Sequence, residues 1–171
     1  DAVEIAQNAG GGINAAGTAE LLVRNSVVSV SANFVDAISL GDATLSLLYS
    51  SVGGSANSNA ISCGGSATLA IRNGIVFNQD GGPTLDACGS ADISYSAGDE
   101  SLSGTGNTTF TVAPALFANL SSGDLRLTAA GVTTFTDVAQ WQSGDPPTDI
   151  DGAPRPTTAG TADVCGADEG P

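Results

Sequence analysis

A repeat of 24 residues constrains the fold of this chain more than any other feature of its sequence. Four segments begin at Ala19, Ala43, Ala67 and Ala91, each 24 residues after the one before. Within a segment, apolar residues alternate with polar or small ones, and an alternation of period two indicates a β-strand with one buried face. The inward positions are predicted to form two columns, Leu21, Leu45, Leu69 and Ile93 in the first and Val23, Leu47, Ile71 and Tyr95 in the second.

Short strands at this spacing favour a β-solenoid, in which the strands of successive turns stack into parallel sheets about 4.8 Å apart. No segment carries the sustained apolar stripe of period 3.6 that predicts an amphipathic helix. Glycine and asparagine residues such as Gly53, Gly54 and Asn57 fall between the strands, where corners are expected. The sequence therefore predicts an all-β parallel solenoid.

Two other folds have a comparable spacing. Leucine-rich repeats also have periods near 24 but place an asparagine three residues after the last strand leucine, whereas Asn25 and Asn73 follow Val23 and Ile71 by two. A β-sandwich has turns every 8–12 residues, but it does not explain why residue identity repeats along with polarity. Both remain alternatives to the solenoid.

Five motifs follow one another in the C-terminal half, namely Gly106-Asn107 and residues 113–117, 122–127, 148–156 and 162–169. Their order resembles the C-terminal region of bacterial extracellular right-handed parallel β-helix proteins, the pectate-lyase-like set of choice-of-anchor type. The run Asp-x-Asp-Gly-x-x-Arg-Pro with the later Gly-Ala-x-Glu carries the resemblance most specifically. It implies a right-handed parallel β-helix with an irregular C-terminal cap in a secreted or cell-surface protein, and no single activity.

The C-terminal residues are expected to close the domain. We expect residues 1–131 to form the turns and residues 132–171 to form a cap or tail of the same domain. In that cap Arg155 would donate a fork of hydrogen bonds to Glu169 or to an aspartate, and the strand edge would be covered. The alternative is a calcium site at Asp149 and Asp151, because calcium prefers several carboxylate oxygens. The cap residues are Asp149, Asp151, Arg155, Asp168 and Glu169.

The three cysteines indicate an oxidising compartment. Cys63 and Cys88 are 25 positions apart, about one turn, so that adjacent strands would bring their Cα atoms within disulfide range. A disulfide between them is typical of extracellular proteins. Cys165 is left over, either buried and free or bonded to a partner.

Composition excludes several classes of function. The chain has no histidine or lysine, and four arginines face eighteen acidic residues, giving a net charge of −14. A nucleic-acid binder needs a basic patch, and triads or zinc sites that use histidine are ruled out. No apolar run approaches the roughly 20 residues that span a membrane as a helix.

Two pairs of polar residues recur two turns apart. Arg24 and Arg72 share an outward column with a separation of about 10 Å. The resemblance implies that such an arginine could act as the base of a lyase, but no aspartates stack beside them, and we expect both to be solvated. Asn25 and Asn73 share a corner, where a ladder of stacked asparagines would be interrupted by Tyr49.

The remaining aromatic residues are predicted to pack. Phe110, Phe117 and Phe135 would plug the lower end of the coil. Trp141 and Tyr49 could stack on carbohydrate, although single aromatics more often serve packing.

The favoured function is structural, a surface scaffold, adhesin segment or fibre subunit outside a bacterial cell, with no enzymatic activity. No capping helix precedes the first turn, and an open strand edge templates pairing with another chain. The expected partners are therefore copies of the same chain stacked end to end, or an N-terminal part of a longer β-helix. Two alternatives remain: a calcium-dependent polysaccharide lyase or glycoside hydrolase, and a carbohydrate-binding or ice-binding surface.

Overall fold

Three parallel sheets run along the coil, and each full turn contributes one strand to every sheet. The computed structural model describes residues 4–8, 11–30, 34–79, 82–89 and 91–170. The strands are β1 (Glu4–Asn8), β2 (Ile13–Ala15), β3 (Glu20–Arg24), β4 (Val27–Val30), β5 (Ile38–Leu40), β6 (Thr44–Leu48), β7 (Ser51–Gly54), β8 (Ile61–Cys63), β9 (Thr68–Arg72), β10 (Ile75–Asn78), β11 (Leu85–Asp86), β12 (Asp92–Ser94), β13 (Ala97–Gly98) and β14 (Thr108–Thr109). Sheet A is ordered β1-β4-β7-β10-β13-β14, sheet B β2-β5-β8-β11 and sheet C β3-β6-β9-β12. The predicted parallel β-solenoid is confirmed.

The two predicted apolar columns line the inside of sheet C through three turns. Leu21 pairs with Leu45 and Leu45 with Leu69, a shift of 24 residues at each step. The second column follows the same register from Val23 to Ile71. Leu45, Leu47, Leu69 and Ile71 are buried, whereas Leu21 and Val23 on the outermost strand are half-buried. The interior of the coil is therefore filled by side chains stacked on their equivalents in the next turn.

The fourth turn is two residues shorter than predicted. Ile93 pairs with Ile71, a shift of 22 residues, and so occupies the second column rather than the first. Tyr95 then falls at the corner after β12, half-buried, and its expected place in the inward column is wrong. Both registers leave an apolar residue inside, so alternation alone did not distinguish them.

The corner after each strand of sheet C is a left-handed residue. Asn25, Tyr49, Asn73 and Tyr95 have φ values of 53°, 47°, 59° and 52°. This conformation is uncommon outside glycine, and asparagine is the side chain that tolerates it best. A backbone ladder holds it: the corner amides of the first three turns donate to the next turn, as Asn25 N does to Leu48 O at 3.0 Å. The corners form one continuous column along the coil.

A disulfide links two neighbouring turns, as predicted. Cys63, the last residue of β8, bonds to Cys88 after β11, with their Cα atoms 4.9 Å apart. Cys165 is a free thiol and is buried.

Removing the disulfide should destabilise the coil through the unfolded state. The double substitution of Cys63 and Cys88 by alanine is expected to lower the free energy of unfolding by about 3 kcal/mol, because the bond closes a 25-residue separation. Equilibrium urea unfolding measures the difference. The wild type reduced with a thiol serves as the control and should unfold like the variant. Equal midpoints for oxidised wild type and variant would contradict the expectation.

The segment 99–109 closes the coil at its C-terminal end. Leu102 is buried and packs into the interior cluster. Asn107 accepts from Ser96 N at 3.0 Å and donates to Ile93 O at 3.1 Å, so that its amide occupies backbone groups the next turn would otherwise pair. β14 adds a short last strand to sheet A after only 11 residues. This half turn covers the end of the coil.

The C-terminal residues form a layer beside the coil. Their elements are 3₁₀ turns at Pro114–Leu116 and Leu120–Ser122, strands β15 (Phe117–Asn119), β16 (Asp124–Leu127), β17 (Ala139–Gln140) and β18 (Ala162–Asp163), and helix α1 (Ala129–Phe135). β15 pairs with β16, and β17 with β18, both antiparallel. The expected boundary between residues 131 and 132 falls inside α1. The elements from residue 110 onward are hereafter called the lateral layer.

The lateral layer buries the outer face of sheet A in a second hydrophobic core. β4, β7 and β10 are therefore buried on both faces. Phe77 of β10 stacks on Phe117, with ring centres 5.0 Å apart, and meets the edge of Phe110, which in turn contacts Phe135. The expectation that Phe110, Phe117 and Phe135 plug the lower end of the coil is wrong. They cover its side, because the outward positions of sheet A are small or apolar and accept them.

Candidate functional site

Arg155 is the centre of a buried polar cluster where the lateral layer meets the coil. Its side chain is 0 % exposed. Nη1 donates to Asp163 Oδ2 at 3.3 Å and to Glu169 Oε1 at 3.2 Å, and Nη2 donates to Gly166 O at 2.9 Å. The guanidinium lies over the ring of Tyr49, with Cζ 4.0 Å from the ring centre. Arg155, Tyr49, Asp163 and Glu169 are hereafter called the Arg155 cluster.

The structure therefore brings Arg155 and Glu169 together, and the predicted hydrogen bond between them is present. It places this pair on the side of the coil, over the corner column, and not over an exposed strand edge. Sequence reasoning missed Asp163 and Tyr49. The sequence presented Tyr49 as the residue that interrupts the asparagine column and as a candidate for carbohydrate stacking, and its burial against Arg155 explains the interruption.

The other predicted cap residues tie the C-terminal turns together. Asp149 Oδ1 accepts from the backbone of Asp151 at 3.0 Å and of Ala153 at 2.8 Å, and its Oδ2 accepts from Glu169 N at 3.0 Å. Asp168 Oδ2 accepts from Leu127 N, which joins the C-terminal tail to β16. Asp149 is thus the acceptor of a local turn and a tail contact.

The two calcium candidates, Asp149 and Asp151, make other contacts. Asp151 is exposed, and its Oδ2 lies 4.0 Å from Arg126 Nη1, while both oxygens of Asp149 already accept backbone N–H donors. Within the described ranges, no group of three or more acidic or cysteine side chains is arranged to hold a metal ion.

Burial is the main cause of the pKa shifts of Glu169 and Tyr49 in the Arg155 cluster. It raises the pKa of Glu169 to about 8, Asp163 adds to the rise through a hydrogen bond and its charge, and Arg155 opposes it. Burial also raises the pKa of Tyr49, with Asp163 adding to the shift, and raises the pKa of Asp168 and of the Cys165 thiol. The folded protein therefore holds a proton on Glu169 at pH values where the unfolded chain has lost it.

This shift gives the fold a pH-dependent stability. The pKa of Glu169 lies near 4.5 when unperturbed and about 8 in the folded state, so the folded state binds more protons between these values. The stabilisation is complete below about pH 4.5 and is lost as the pH rises through about 8.

The substitution Glu169→Gln replaces the titrating carboxyl group by an amide that is neutral at every pH. The melting temperature of the wild type is expected to fall by about 5 °C between about pH 5 and pH 9, and that of the variant by clearly less. Asp168 contributes a slope in the same direction in both proteins. Differential scanning calorimetry measures both profiles, with Glu20→Gln at an exposed position as the control. A wild-type profile that is flat or rises with pH would contradict the assignment.

Arg72 and Asn73 bind a segment of the lateral layer. Asn73 Nδ2 donates to Gln140 O at 3.1 Å and Asn73 Oδ1 accepts from Gln140 N at 3.0 Å, so one side-chain amide pairs with both backbone groups of one residue. Arg72 grips both oxygens of Asp145 with Nη1 and Nη2, the former at 2.8 Å. Arg72 was expected to be solvated; its side chain is 31 % exposed but binds Asp145, whose side chain is only 2 % exposed.

A cleft lies at the equivalent corner two turns away. It has a volume of about 580 Å³ and lies between Arg24 and Asn25 on one side and residues 144–152 on the other. Arg24 is exposed, in agreement with the sequence prediction. Asn25 is 6 % exposed, and its Oδ1 accepts no hydrogen bond within the described part of the chain.

The two aromatic candidates for carbohydrate stacking are packing residues. Trp141 is buried in the second core and its Nε1 donates to Pro146 O at 3.3 Å. Tyr49 is fully buried beneath Arg155.

Comparisons with protein-family models, curated proteins and solved structures find no match for this chain. None of the helices among the described residues is long and apolar enough to cross a membrane.

Proposed function

We propose that this β-solenoid is a structural module outside the cell, a scaffold, adhesin segment or fibre subunit that stacks end to end on copies of itself. The observation that carries the proposal is the use made of the charged side chains. Arg72 of the coil binds Asp145 of the lateral layer, and Arg155 binds Asp163 and Glu169 within that layer while it packs on Tyr49 of the coil. These charged side chains thus stabilise the fold, which supports a structural role.

Backbone groups at the first turn support stacking. β3 is the terminal strand of sheet C and β2 the terminal strand of sheet B within the described ranges. A terminal strand of this kind can pair with a further strand of another molecule. Contact between unlike ends of two copies generates a filament unless it closes on itself.

Charge and the disulfide support the remaining parts of the proposal. The net charge of −14 favours solubility and opposes non-specific association. The bond between Cys63 and Cys88 suits an oxidising extracellular compartment.

A proline on β3 tests the proposal. Thr44 N donates to Ala19 O in the preceding turn, and Thr44 pairs with Glu20 in register, so the N–H groups of Glu20 and Leu22 face away from β6. Leu22→Pro removes an edge donor without removing a bond to β6, a position where strands tolerate proline. Leu22→Thr is the matched control that keeps the N–H group.

Size-exclusion chromatography with light scattering and electron microscopy gives the readout. The wild type and Leu22→Thr are expected to form assemblies that lengthen with concentration, whereas Leu22→Pro stays monomeric with an unchanged circular dichroism spectrum. A wild type that is monomeric at all accessible concentrations would overturn end-to-end stacking.

A further inference from the structure

The coil presents the same arginine–asparagine pair twice. Arg24 pairs with Leu48 and Leu48 with Arg72, so that the two arginines occupy the same column two turns apart. Asn25 and Asn73 follow them at left-handed corners with φ values of 53° and 59°. The backbone therefore sets both pairs in equivalent positions.

One of the two copies is occupied by the chain itself. Asn73 pairs with the backbone N–H and C=O of Gln140, and Arg72 binds the carboxylate of Asp145 five residues later. Asp145 also accepts from Gln142 N at 2.8 Å, which fixes the bound segment as a turn that ends in its acid. The pair thus recognises one backbone unit and one carboxylate.

The other copy has the same groups and no such segment among the described residues. The Asn25 amide is nine-tenths buried, and its Oδ1 has no donor there. Arg24 has no carboxylate partner in the described part of the chain. A buried acceptor without a donor is costly, and a ligand that supplies an N–H group removes that cost.

We infer that Arg24 and Asn25 form a binding site for an acidic peptide segment of another protein molecule. The Asn25 amide would pair with a backbone N–H and C=O of the peptide, and Arg24 would bind an aspartate or glutamate side chain a few residues later. A guanidinium fork matches a carboxylate in geometry as well as in charge. The proposal does not depend on end-to-end stacking, since it uses the side of the first turn.

The cleft can admit such a segment. Its volume of about 580 Å³ lies within the usual range for ligand sites. The acids of its wall are largely neutralised or engaged: Arg72 pairs with Asp145, and backbone donors occupy Asp149. Asp151 lies at the exposed rim, with Arg126 4.0 Å away.

The probe for the test is a peptide copy of the segment that Arg72 and Asn73 bind within the chain. A synthetic peptide with the sequence of residues 139–147, blocked at both ends, is titrated into the intact ¹⁵N-labelled protein. The expected result is a shift of the Asn25 side-chain amide, of the backbone amides of β3 and of those of the non-proline residues between 144 and 152. The control peptide carries asparagine in place of the aspartate that corresponds to Asp145.

Variants separate this site from the occupied one. Arg24→Gln, and separately the asparagine control peptide, are each expected to weaken binding about tenfold. Arg24→Lys keeps the charge without the fork and should fall between Arg24→Gln and the wild type. Asn25→Gly keeps the backbone conformation, which glycine adopts freely, and should also weaken binding.

Two results would overturn the inference. The first is absence of binding to the wild type at millimolar peptide. The second is binding that Arg24→Gln leaves unchanged, or shifts confined to Arg72 and Asn73, which would mean that the probe merely displaces the resident segment. Arg24 is exposed, so the melting temperature of its variants should match that of the wild type and confirm that they are folded.

Discussion

Arg155→Met is expected to lower the free energy of unfolding by about 3–5 kcal/mol, because it removes the buried cation to which the side chains of Asp163 and Glu169 are hydrogen-bonded. Asp163 and Glu169 would lose a shared donor at 3.3 and 3.2 Å, and the carbonyl of Gly166 would lose another. The packing of the guanidinium on Tyr49 would be replaced only in part by the methionine side chain. Urea unfolding at pH 7 measures the effect.

The dependence of this effect on pH identifies its cause. Loss of Arg155 removes the charge that opposes the rise in the pKa of Glu169. The destabilisation should therefore be larger above about pH 8 than at about pH 5. At high pH the wild type holds the ionised Glu169 beside a cation, whereas the variant must bury that charge without one. The double variant Arg155→Met/Glu169→Gln should recover part of the loss, since the two residues are in contact.

Arg126→Gln is the control for charge, because Arg126 is 49 % exposed and pairs with Asp124 on the surface. We expect its free energy of unfolding to be within about 1 kcal/mol of the wild type. If Arg155→Met unfolds at the same urea concentration as Arg126→Gln, the Arg155 cluster does not stabilise the fold.

Phe77→Ala is the second substitution with a large expected effect, a loss of about 3–5 kcal/mol. Phe77 is fully buried, stacks on Phe117 and meets Phe110 edge-on, so it is the point where the coil contacts the aromatic side chains of the lateral layer. Its neighbour in the preceding turn is Gly53, where a Cβ atom would lie 3.2 Å from both Phe77 Cζ and Leu125 Cδ1. The surroundings are therefore shaped around the ring and are expected to collapse little when it is removed.

The matched control is Leu22→Ala, which truncates a large apolar side chain that is 61 % exposed. Its effect should stay within about 0.5 kcal/mol. Loss of near-ultraviolet circular dichroism at lower urea than loss of far-ultraviolet signal in Phe77→Ala would show that the lateral layer detaches first. A loss below about 1 kcal/mol for Phe77→Ala would mean that the second core contributes little.

The coil could be predicted from the sequence because its signal is local and repeated. Strand alternation and the spacing of 24 residues together fix the register of Leu21, Leu45 and Leu69. The same logic placed Cys63 beside Cys88. It failed at Tyr95, since a shift of two residues preserves alternation and only tertiary pairing distinguishes the two registers.

The lateral layer could not be predicted because its partners lie on the other side of the sheet. Ser29, Ser51 and Gly53 are small residues that resemble solvent-exposed positions, yet Ser29 donates to Gly123 O at 2.9 Å and Ser51 accepts from Ala167 N at 3.1 Å. One clue was present in β4 and β10, which are nearly continuous apolar runs. Such runs are typical of strands that are buried on both faces.

The candidate site was predicted only in part, because some of its residues are brought together by the tertiary fold alone. Arg155 and Glu169 lie close in sequence, and their opposite charges suggested a pair. Asp163 and Tyr49 joined the cluster only through the path of the chain. The partnership of Arg72 with Asp145 spans 73 positions and leaves no local trace.

The lateral layer also changes how the coil is expected to unfold. In a simple repeat protein each turn contacts only its neighbours, and turns can unravel one at a time from an end. Here the lateral layer is hydrogen-bonded to β4 through Ser29, to β7 through Ser51 and to the corner at Asn73. It therefore contacts three turns of the coil. Unfolding of any one of these turns must break its contacts with the lateral layer, so the turns should unfold together in a single cooperative transition. The contacts that enforce this join residues far apart in sequence, and the closure of such long loops should make folding slow.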